Sequence, residues 1–534
     1  MSGPDRISNT DQRWKWARAA VRRFSRLDDR SLAAMRIGLG CVLLLDIRRG
    51  WILADDWLAL QGYDQWPLPL VVGDAETSLR LALVLFGLAS FAFLIGWRTR
   101  ITTPLVWLAA CGYQYASRHT VDYHDAVVCQ LLLWSVVLPL SRRWSVDAWQ
   151  GRVERVWPDW LSRAAATGLL ATIAWIYLTT FVVKDGAAWW VEGHAVRLAI
   201  ADRAAMREVG AWCAQHLPGV VFAVLSWVTL AIELAVPILL FSGRVGARRV
   251  AAAGLWILHG GMWLLMDLGT FPLTMMAAAT ALWLPVPKPS TASPIAMSPI
   301  GRALVGFDPG RWLPRMIALL FSLNLLLAAD DERQRRWPVD PDTTLARWLR
   351  RGHTFLAAEP VWWMYAPEPW RFTGWWVAVG ETAGGELIDP ITGQRPHLLP
   401  PVPGASMLRW AYLGNPPSIT GPIRVTVPAA ESVNPAADAP YGMADAYERF
   451  LLRQDRRQPP DRRLQWLALV YVYEALDGPE RSTQRPLLSR VWPDTVSAGR
   501  VARALGAQLY HVNADSLGVP GWRPTPIKLS SSRP

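Results

Sequence analysis

The stretch LLATIAWIYLTTFVVK, residues Leu169–Lys184, puts one lysine at the end of a long apolar run. The run begins at Ala164 and is interrupted only by threonine and glycine. Its length matches the roughly 20 residues that a helix needs to cross a bilayer, so it predicts a transmembrane helix. Lys184 is then either an anchor whose ammonium group reaches the membrane surface or a buried group with a chemical role.

The composition indicates a membrane protein with a further domain. Of the 534 residues 52% are hydrophobic, and the long apolar runs crowd into residues 1–330. The formal net charge of +12 would suit a nucleic-acid partner, but no nucleic-acid motif is present, and arginines in loops between spans are the usual topogenic signal. We therefore expect the lipid bilayer, and no nucleic acid, as a partner.

Eight or nine apolar segments qualify as spans. They cover residues 32–47, 79–97, 102–117, 124–140, 164–183, 219–241, 248–267, 270–285 and 315–329. The third, fourth, eighth and ninth are short, which leaves the count open. The predicted fold is an α-helical polytopic membrane bundle followed by a small β-rich extracytoplasmic domain.

The basic residues indicate how the bundle is oriented. With nine spans, the N-terminal tail and every second loop carry most of the lysines and arginines, with Arg48 and Arg49 as exceptions. The positive-inside rule then predicts a cytoplasmic N-terminus and an extracytoplasmic C-terminal region. His124, which opens the fourth span, and Lys184 would lie at the outer face. The segment Lys184–Pro218 is too hydrophobic for a plain loop, so we expect interfacial or re-entrant helix over the outer end of the bundle.

The chain divides into four regions. They are a basic cytoplasmic tail at 1–30, the transmembrane domain at 31–330, the extracytoplasmic β-rich domain at 331–514 and a flexible tail at 515–534. Within the first region, RWKWARAAVRRFSRL (Arg13–Leu27) is either an interfacial amphipathic helix or an ordinary tail.

The third region contains two runs that are typical of strands. GWWVAVGE alternates, and a Gly-Gly pair before ELIDP predicts a hairpin turn. The second run, WLALVYVYEAL (Trp466–Leu476), follows a helix-like segment near Ala444–Arg457. Proline-rich stretches at 399–404 and 415–428 predict loops.

Ionisable residues inside the predicted spans are candidates for a functional site, because a charge in lipid is costly. Arg36 and Asp46 lie nearly on one face of the first span, Glu233 lies midway in the sixth, and His259 lies in the seventh. No cation is near Glu233 within its own span. For Arg36 and for His259, pairing with an acid across the bundle is an equal alternative. Gly260, beside His259, would let a flat ligand or another backbone approach.

The sequence predicts no metal site. It contains no H-E-x-x-H motif and no cluster of cysteine and histidine, and the G-x-S-x-G and P-loop patterns are also missing. Any chemistry would then be general acid–base chemistry by lysine, histidine and carboxylates in a desolvated pocket.

Several motifs follow one another in a recognisable order. They are MRIGLGCVLLLDI (Met35–Ile47), GWRTR (Gly96–Arg100), HDAVVCQLLLW (His124–Trp134) with RWSVDAW (Arg143–Trp149), and KDGAAWWVEGH (Lys184–His194), with His259 and Phe271 beyond them. In this order they resemble the membrane domain shared by vitamin K-dependent gamma-glutamyl carboxylase and its bacterial relatives, the HTTM (horizontally transferred transmembrane) family. The predicted topology agrees with that family.

The resemblance implies an activity and a set of site residues. In the carboxylase a lysine acts as general base on reduced vitamin K, and oxygen converts this hydroquinone to the epoxide through a strong base that removes a gamma proton from a glutamate side chain. Carbon dioxide traps the carbanion. The corresponding residues are Lys184, His124 and His259 for catalysis, with Trp189, Gly193 and Gly260 as expected cofactor contacts.

The same resemblance implies the co-substrates and the location. We expect a reduced quinone such as a vitamin K or menaquinone hydroquinone, with O2 and CO2 and no metal, and a peptide or protein glutamyl substrate at the outer face. The location would be the plasma membrane, which in bacteria is the inner membrane. Desolvation fits the proposed base, because it favours the neutral amine of a lysine.

The C-terminal region departs from the carboxylase. A W-x-M element is present at Trp362–Met364, but Ala366-Pro367 stands where the carboxylase has a functional histidine, and no long substrate-recognition region is evident. Quinone chemistry without glutamate carboxylation therefore stays open. So does a non-catalytic quinone-binding, lipid-binding or accessory role, whereas a transporter is disfavoured because no inverted repeat is found.

Overall fold

The computed structural model is mainly helical up to residue 284 and ends in a small sheet. The residues it describes are 27–59, 74–116, 123–153, 159–284 without 204 and 243, 364–400 without 368, 391 and 392, the residues 448, 451, 452, 455 and 456, and 458–477, 483–511, 526 and 527. The basic tail up to residue 26, the ninth predicted span at 315–329 and most of the predicted proline-rich loops lie outside the described residues.

The helical part consists of long helices joined by short ones. They are α1 Asp29–Ala59, α2 Ala75–Ile95, α3 Thr99–Ala116, α4 Tyr123–Ser135, α5 Val146–Trp149, α6 Asp159–Val183, α7 Ala187–Trp190, α8 Ala195–Ala201, α9 Glu208–His216, α10 Gly219–Phe241, α11 Val245–Leu265 and α12 Phe271–Thr280. Each of the first eight predicted spans overlaps one of these helices.

Among the described residues, three helical segments are long and apolar enough to cross a membrane. They are Glu76–Ile95, Leu161–Val183 and Gly219–Phe241, which correspond to the second, fifth and sixth predicted spans. The fourth and eighth predicted spans are shorter than expected. α4 has 13 residues and α12 has 10, which is about 20 and 15 Å at about 1.5 Å per residue, against a bilayer core of about 30 Å. The count of eight or nine spans therefore stays a prediction.

The long helices pack around one apolar core. α1 contacts α2 and α12, α6 contacts α10, and α11 contacts both α10 and α12. Met35, Leu39, Leu83, Leu132 and Leu169, contributed by α1, α2, α4 and α6, are all buried in it. This packing brings α1, α4, α6, α10, α11 and α12 close to one another, and these helices and their flanking residues carry the polar residues described below.

A network of capping interactions joins α2, α3 and α5. Gly96 ends α2 in the left-handed region, with φ of 71°. The carboxylate of Asp147 accepts hydrogen bonds from the backbone nitrogens of Arg98 at 2.8 Å and Thr99 at 2.9 Å, and from the Thr99 hydroxyl at 2.8 Å. Buried carboxylates at a helix N-terminus satisfy amides that the helix leaves free. The GWRTR and RWSVDAW motifs therefore have a structural role in this fold.

Arg36 is fully buried at the same end of the bundle. Its guanidinium donates to the carbonyl of Leu140 at 2.7 Å and to the carbonyl of Trp144. Both partners are backbone carbonyls, so the structure does not show the alternative in which Arg36 pairs with an acid. Arg36 anchors the turn that precedes α5.

The C-terminal residues form a five-stranded sheet. Its strands are β1 Phe372–Thr382, β2 Leu387–Ile388, β3 Leu464–Ala475, β4 Gln484–Trp492 and β5 Tyr510–His511, in the order β2-β1-β3-β4-β5, and α13 is Ala498–Leu505. All pairings are antiparallel except β4 with β5. The predicted hairpin and the predicted strand at Trp466–Leu476 are confirmed, whereas β4, β5 and α13 were not predicted from the sequence.

Both faces of the sheet are covered, which explains why β1 and β3 are buried along almost their whole length. Trp376 and Tyr471 pack on one face with Leu451. Val470 packs on the other with Val501 of α13. Within the region predicted as a flexible tail, Ile527 donates from its backbone nitrogen to the carbonyl of Leu509 at 2.9 Å.

Candidate active site within the helical bundle

Lys184 follows directly on the last residue of α6 and is 3% exposed. Its ammonium group forms an ion pair with the carboxylate of Glu233 and lies 4.5 Å from the centre of the Trp189 ring. A snorkelling lysine would instead extend its charge to the membrane surface. The structure therefore supports the alternative of a buried lysine.

Glu233 finds its cation on a neighbouring helix. α10 packs against α6, so the carboxylate in the middle of α10 meets the lysine at the end of α6 although no cation precedes it within its own helix. Glu233 Oε1 accepts from Lys184, and the residue is 2% exposed. Glu233 Oε2 is buried and has no hydrogen-bond partner among the described residues.

The environment of Lys184 shifts its proton affinity. Burial lowers the pKa of Lys184 below the ordinary value for lysine, and the charge of Glu233 together with its hydrogen bond acts in the opposite direction. Desolvation disfavours the charged form of an amine, whereas a nearby carboxylate favours it. Burial is the larger effect, so the neutral amine is favoured here more than in water.

Tyr177 and His259 lie beside this pair. The Tyr177 hydroxyl and His259 Nε2 are 2.6 Å apart, and the ring of Phe271 meets the His259 ring edge-on with 5.4 Å between centres. His259 lies close enough to Lys184, and Tyr177 close enough to Glu233, for an electrostatic interaction within each of these two pairs. We call Lys184, Glu233, Tyr177 and His259 the lysine cluster.

His259 makes its hydrogen bond to a tyrosine and not to an acid. Its second ring nitrogen, Nδ1, is buried without a hydrogen-bond partner in the described part of the chain. If the Tyr177 hydroxyl donates to Nε2, the proton of the neutral imidazole resides on Nδ1. His259 then presents an N–H donor to whatever occupies the space beside it.

His124 belongs to a second polar group, which we call the histidine cluster. His124 Nε2 lies 2.8 Å from an Asp46 carboxylate oxygen and 2.9 Å from the Thr270 hydroxyl, and its Nδ1 lies 3.0 Å from the Thr274 hydroxyl. Thr270 also donates to Asp46 at 2.5 Å. The Tyr113 hydroxyl donates to the Asp46 backbone carbonyl at 3.0 Å.

The histidine cluster borders a small cavity. The cavity has space for about one water molecule. Asp46, Tyr113 and His124 line it together with the apolar side chains of Leu43, Phe86, Ala110 and Val128, and with Asp125 and Cys129. An aspartate that orients a buried histidine in this manner fixes which ring nitrogen carries the proton.

The two clusters adjoin at the start of α12. Thr270 contacts His124, and the next residue, Phe271, packs on His259. The hydrogen bonds of His124 go to Asp46, Thr270 and Thr274, while Lys184 pairs with Glu233. The structure therefore places Lys184 and His259 in one cluster, and His124 with Asp46 in the other.

The three predicted cofactor contacts differ in their surroundings. Trp189 is 3% exposed, covers Lys184 and donates from Nε1 to the Tyr365 carbonyl at 3.0 Å. Gly193 has φ of 67°, and a Cβ there would lie 2.7 Å from Ala223 Cβ, so the backbone conformation and close packing require glycine. A Cβ on Gly260 would meet nothing within 4 Å.

The segment after Lys184 forms the three short helices α7, α8 and α9, as the prediction of helix for this segment requires. Two hydrogen bonds join this segment to backbone carbonyls of residues that precede β1. Gly186 donates to the Pro367 carbonyl at 3.1 Å, next to the Tyr365 carbonyl that accepts from Trp189. The C-terminal region therefore contacts the residues that immediately follow the lysine.

Ion pairs complete this contact. Arg371 donates to Glu192 at 2.6 Å and to Asp477 at 2.9 Å. Arg203 binds Glu474 of β3 through two parallel hydrogen bonds of 2.9 and 3.0 Å. Bidentate pairs of this kind add orientation as well as energy. They fix the sheet relative to α7 and α8.

Several of these residues were not predicted from the sequence. Tyr177 lies seven residues before Lys184, which is two turns along one face of a helix, so this spacing was a usable signal. Thr270 and Thr274 are four residues apart and likewise share a face. The ion pairs of Arg203 and Arg371 join positions too distant in sequence for any local pattern.

A comparison with protein families identifies the helical part. The family model described as HTTM domain matches residues 24–286. Residues 24–286 are an HTTM domain. This range contains both clusters, and the prediction of the family from the motifs is confirmed. No curated protein and no solved structure matches the chain. The apolar helices and the HTTM domain are consistent with a membrane protein.

Proposed function

We propose that this chain is an integral membrane enzyme in which Lys184 acts as general base on a reduced quinone, with O2 as co-substrate. The observation that carries the proposal is the burial of Lys184 in the lysine cluster, beside Glu233 and under the ring of Trp189. A lysine that serves only as an anchor has no need of a buried carboxylate and a covering aromatic ring.

The surroundings of Lys184 suit a base. An ammonium group cannot accept a proton, so a lysine acts as a base only after it becomes neutral, and desolvation promotes that form. When the neutral amine accepts a proton, the carboxylate of Glu233 and the face of Trp189 stabilise the resulting charge. Desolvation therefore favours the neutral amine before the reaction, and Glu233 and Trp189 stabilise the ammonium group that forms.

The residues present fit a quinone-like ligand. The cluster offers one buried acceptor, Glu233 Oε2, and one buried ring nitrogen, His259 Nδ1, that no described residue satisfies. Trp189 and Phe271 provide aromatic surface beside them. Glu233, His259 and Trp189 would hold the ligand. A reduced quinone supplies hydroxyl protons for the base to remove and, with oxygen, the driving force for a second reaction.

Carboxylation of a glutamyl side chain by CO2 is the finer form of the proposal, and it rests on the resemblance to the vitamin K-dependent carboxylase. The Ala366-Pro367 pair in place of a functional histidine is the feature that separates the two forms. The proposed location is the plasma membrane, with a cytoplasmic N-terminus and the sheet outside. The glutamyl substrate would then approach from the outer face.

The experiment uses purified full-length protein with a reduced naphthoquinone, O2, labelled bicarbonate and a glutamyl peptide. Quinone epoxide is followed by mass spectrometry, and label in the peptide is counted separately. We expect epoxide with the wild type, none above background with Lys184→Ala, and wild-type amounts with Asp185→Asn, which changes the exposed neighbour. Epoxide without label would support quinone chemistry and reject glutamate carboxylation.

A non-catalytic quinone-binding or lipid-binding protein is the second candidate. The burial of both members of the Lys184–Glu233 pair is equally compatible with it, since a purely structural ion pair would look the same. A binding protein tolerates loss of the amine. No epoxide from the wild type, together with equal naphthoquinone binding by wild type and Lys184→Met, would select this candidate and reject the enzyme.

A further inference from the structure

Glu233 Oε2 is the most informative polar atom in the lysine cluster. Glu233 is 2% exposed, and among the described residues only its Oε1 has a partner, the ammonium group of Lys184. Buried polar groups in folded proteins are nearly always hydrogen-bonded, and a charged oxygen left without a donor is among the costliest exceptions. The pair is therefore incomplete as it stands.

The missing group must be a hydrogen-bond donor. A carboxylate oxygen accepts and does not donate. A hydroxyl group satisfies Oε2, whereas a carbonyl oxygen would face it lone pair to lone pair and be repelled. A donor bound at Oε2 would also lie close to Lys184 Nζ, because that group binds the other oxygen of the same carboxylate.

We infer that Glu233 Oε2 accepts a hydrogen bond from a hydroxyl group of an aromatic ligand, so that Glu233 selects the reduced, hydroxyl-bearing form over the oxidised, carbonyl-bearing form. The inference rests on the proposed function for the ligand class. It gives Glu233 a specificity role that is separate from the role of Lys184 as a base.

The surroundings suit a lipophilic ligand of this kind. Val182, two residues before Lys184, is 63% exposed, and Trp190 and Val191, in the segment that follows it, are 48% and 82% exposed. The Trp190 Nε1 donates to the Lys184 backbone carbonyl at 2.6 Å, which fixes this ring next to the lysine. Exposed apolar and aromatic surface therefore adjoins the buried pair, and a ligand dissolved in lipid can reach it without crossing water.

The test compares two stable probes that differ in one hydroxyl. 1-Naphthol carries a phenolic hydroxyl, and 1-methoxynaphthalene replaces it with a methyl ether that cannot donate. Their binding to full-length protein in nanodiscs is measured by isothermal titration or by quenching of tryptophan fluorescence, without O2 chemistry. The variants are Glu233→Gln, which keeps the shape of the side chain and an oxygen for Lys184, and the control Glu208→Gln at the exposed start of α9.

We expect the wild type and Glu208→Gln to bind 1-naphthol about 10- to 100-fold more tightly than 1-methoxynaphthalene, the range for a hydrogen bond to a charged group. In Glu233→Gln an amide N–H₂ replaces Oε2, so the preference should fall to about threefold or less. The same variant should gain affinity for 1,4-naphthoquinone, because the amide donates to a carbonyl.

The outcomes separate this inference from the proposed function. Equal binding of the two probes by the wild type would overturn the inference whether or not the variant folds, while leaving an aromatic site intact. A preference that survives in a folded Glu233→Gln would overturn it as well. Failure of the wild type to bind any naphthyl probe would reject the ligand class of the proposed function, and the inference with it.

Discussion

Breaking the Arg203–Glu474 pair should loosen the sheet from the short helices that follow Lys184. Glu474 has a side chain only 4% exposed, and its two oxygens bind the Arg203 guanidinium at 2.9 and 3.0 Å. Substituting Arg203→Met removes the cation and leaves this carboxylate buried. Breaking a fully buried ion pair costs about 3–5 kcal/mol.

Two features of the structure reduce that cost here. The Arg203 side chain is 30% exposed, so water can replace part of its interaction. Gln484 Nε2 donates to Glu474 at 3.1 Å, and the substitution at Arg203 does not remove this donor. We therefore expect a loss of about 2–3 kcal/mol in the free energy of local opening, which corresponds to an increase of about 30- to 140-fold in the rate of exchange.

The assay is amide hydrogen exchange measured by mass spectrometry on peptides that cover α8 and β3. The double variant Arg203→Met with Glu474→Gln should recover most of the protection, because neither residue then leaves a buried charge. As a matched control, Arg500→Met breaks the more exposed pair with Glu381. This variant should change the free energy of local opening by less than about 1 kcal/mol. Unchanged exchange in Arg203→Met would refute the claim that this pair docks the sheet.

Two further predictions concern local stability. Gly96→Ala should lower the thermal midpoint more than Gly151→Ala. Both positions have positive φ, which costs about 1–2 kcal/mol for alanine at either one, but of the two only Gly96 would bring a Cβ to within 2.5 Å of a buried guanidinium nitrogen. Equal midpoints would contradict the packing argument. Hydrogen bonds from Trp466 and Arg500 hold the pKa of Glu381 below its ordinary value of 4.5, so this carboxylate stabilises the sheet above that pH, and the stabilisation is lost as pH falls through the lower folded pKa. Melting of wild type and Glu381→Gln from about pH 7 to about pH 3 should show a smaller pH dependence in the variant, and equal slopes would reject the linkage.

The sequence predicted the helices better than their lengths. Leu161–Val183 and Gly219–Phe241 were identified because their composition is apolar throughout. The fourth predicted span was too long because Val136 and Leu140 continue the apolar pattern after α4 has ended, and apolar residues in a buried turn give the same signal as residues in a helix. Apolar content reports burial, and it does not report where the hydrogen-bonded helix stops.

The members of the site could be named from motifs, but their arrangement could not. Lys184 and Glu233 are 49 positions apart, and only the packing of α6 on α10 brings them together. His124 was predicted to be catalytic together with Lys184, yet its hydrogen bonds go to Asp46 and to the start of α12. Such contacts depend on tertiary geometry, for which a single sequence contains no periodic signal.

Chemical rescue of Lys184→Ala tests whether the neutral amine of Lys184 is the base. The variant is supplied with a reduced naphthoquinone, O2 and a series of small primary amines of increasing pKa, and epoxide is measured by mass spectrometry. We expect epoxide formation to return only with an added amine, at a rate that rises with the pKa of that amine. Wild-type epoxide formation by Lys184→Ala without any amine would contradict the role of Lys184 as the base.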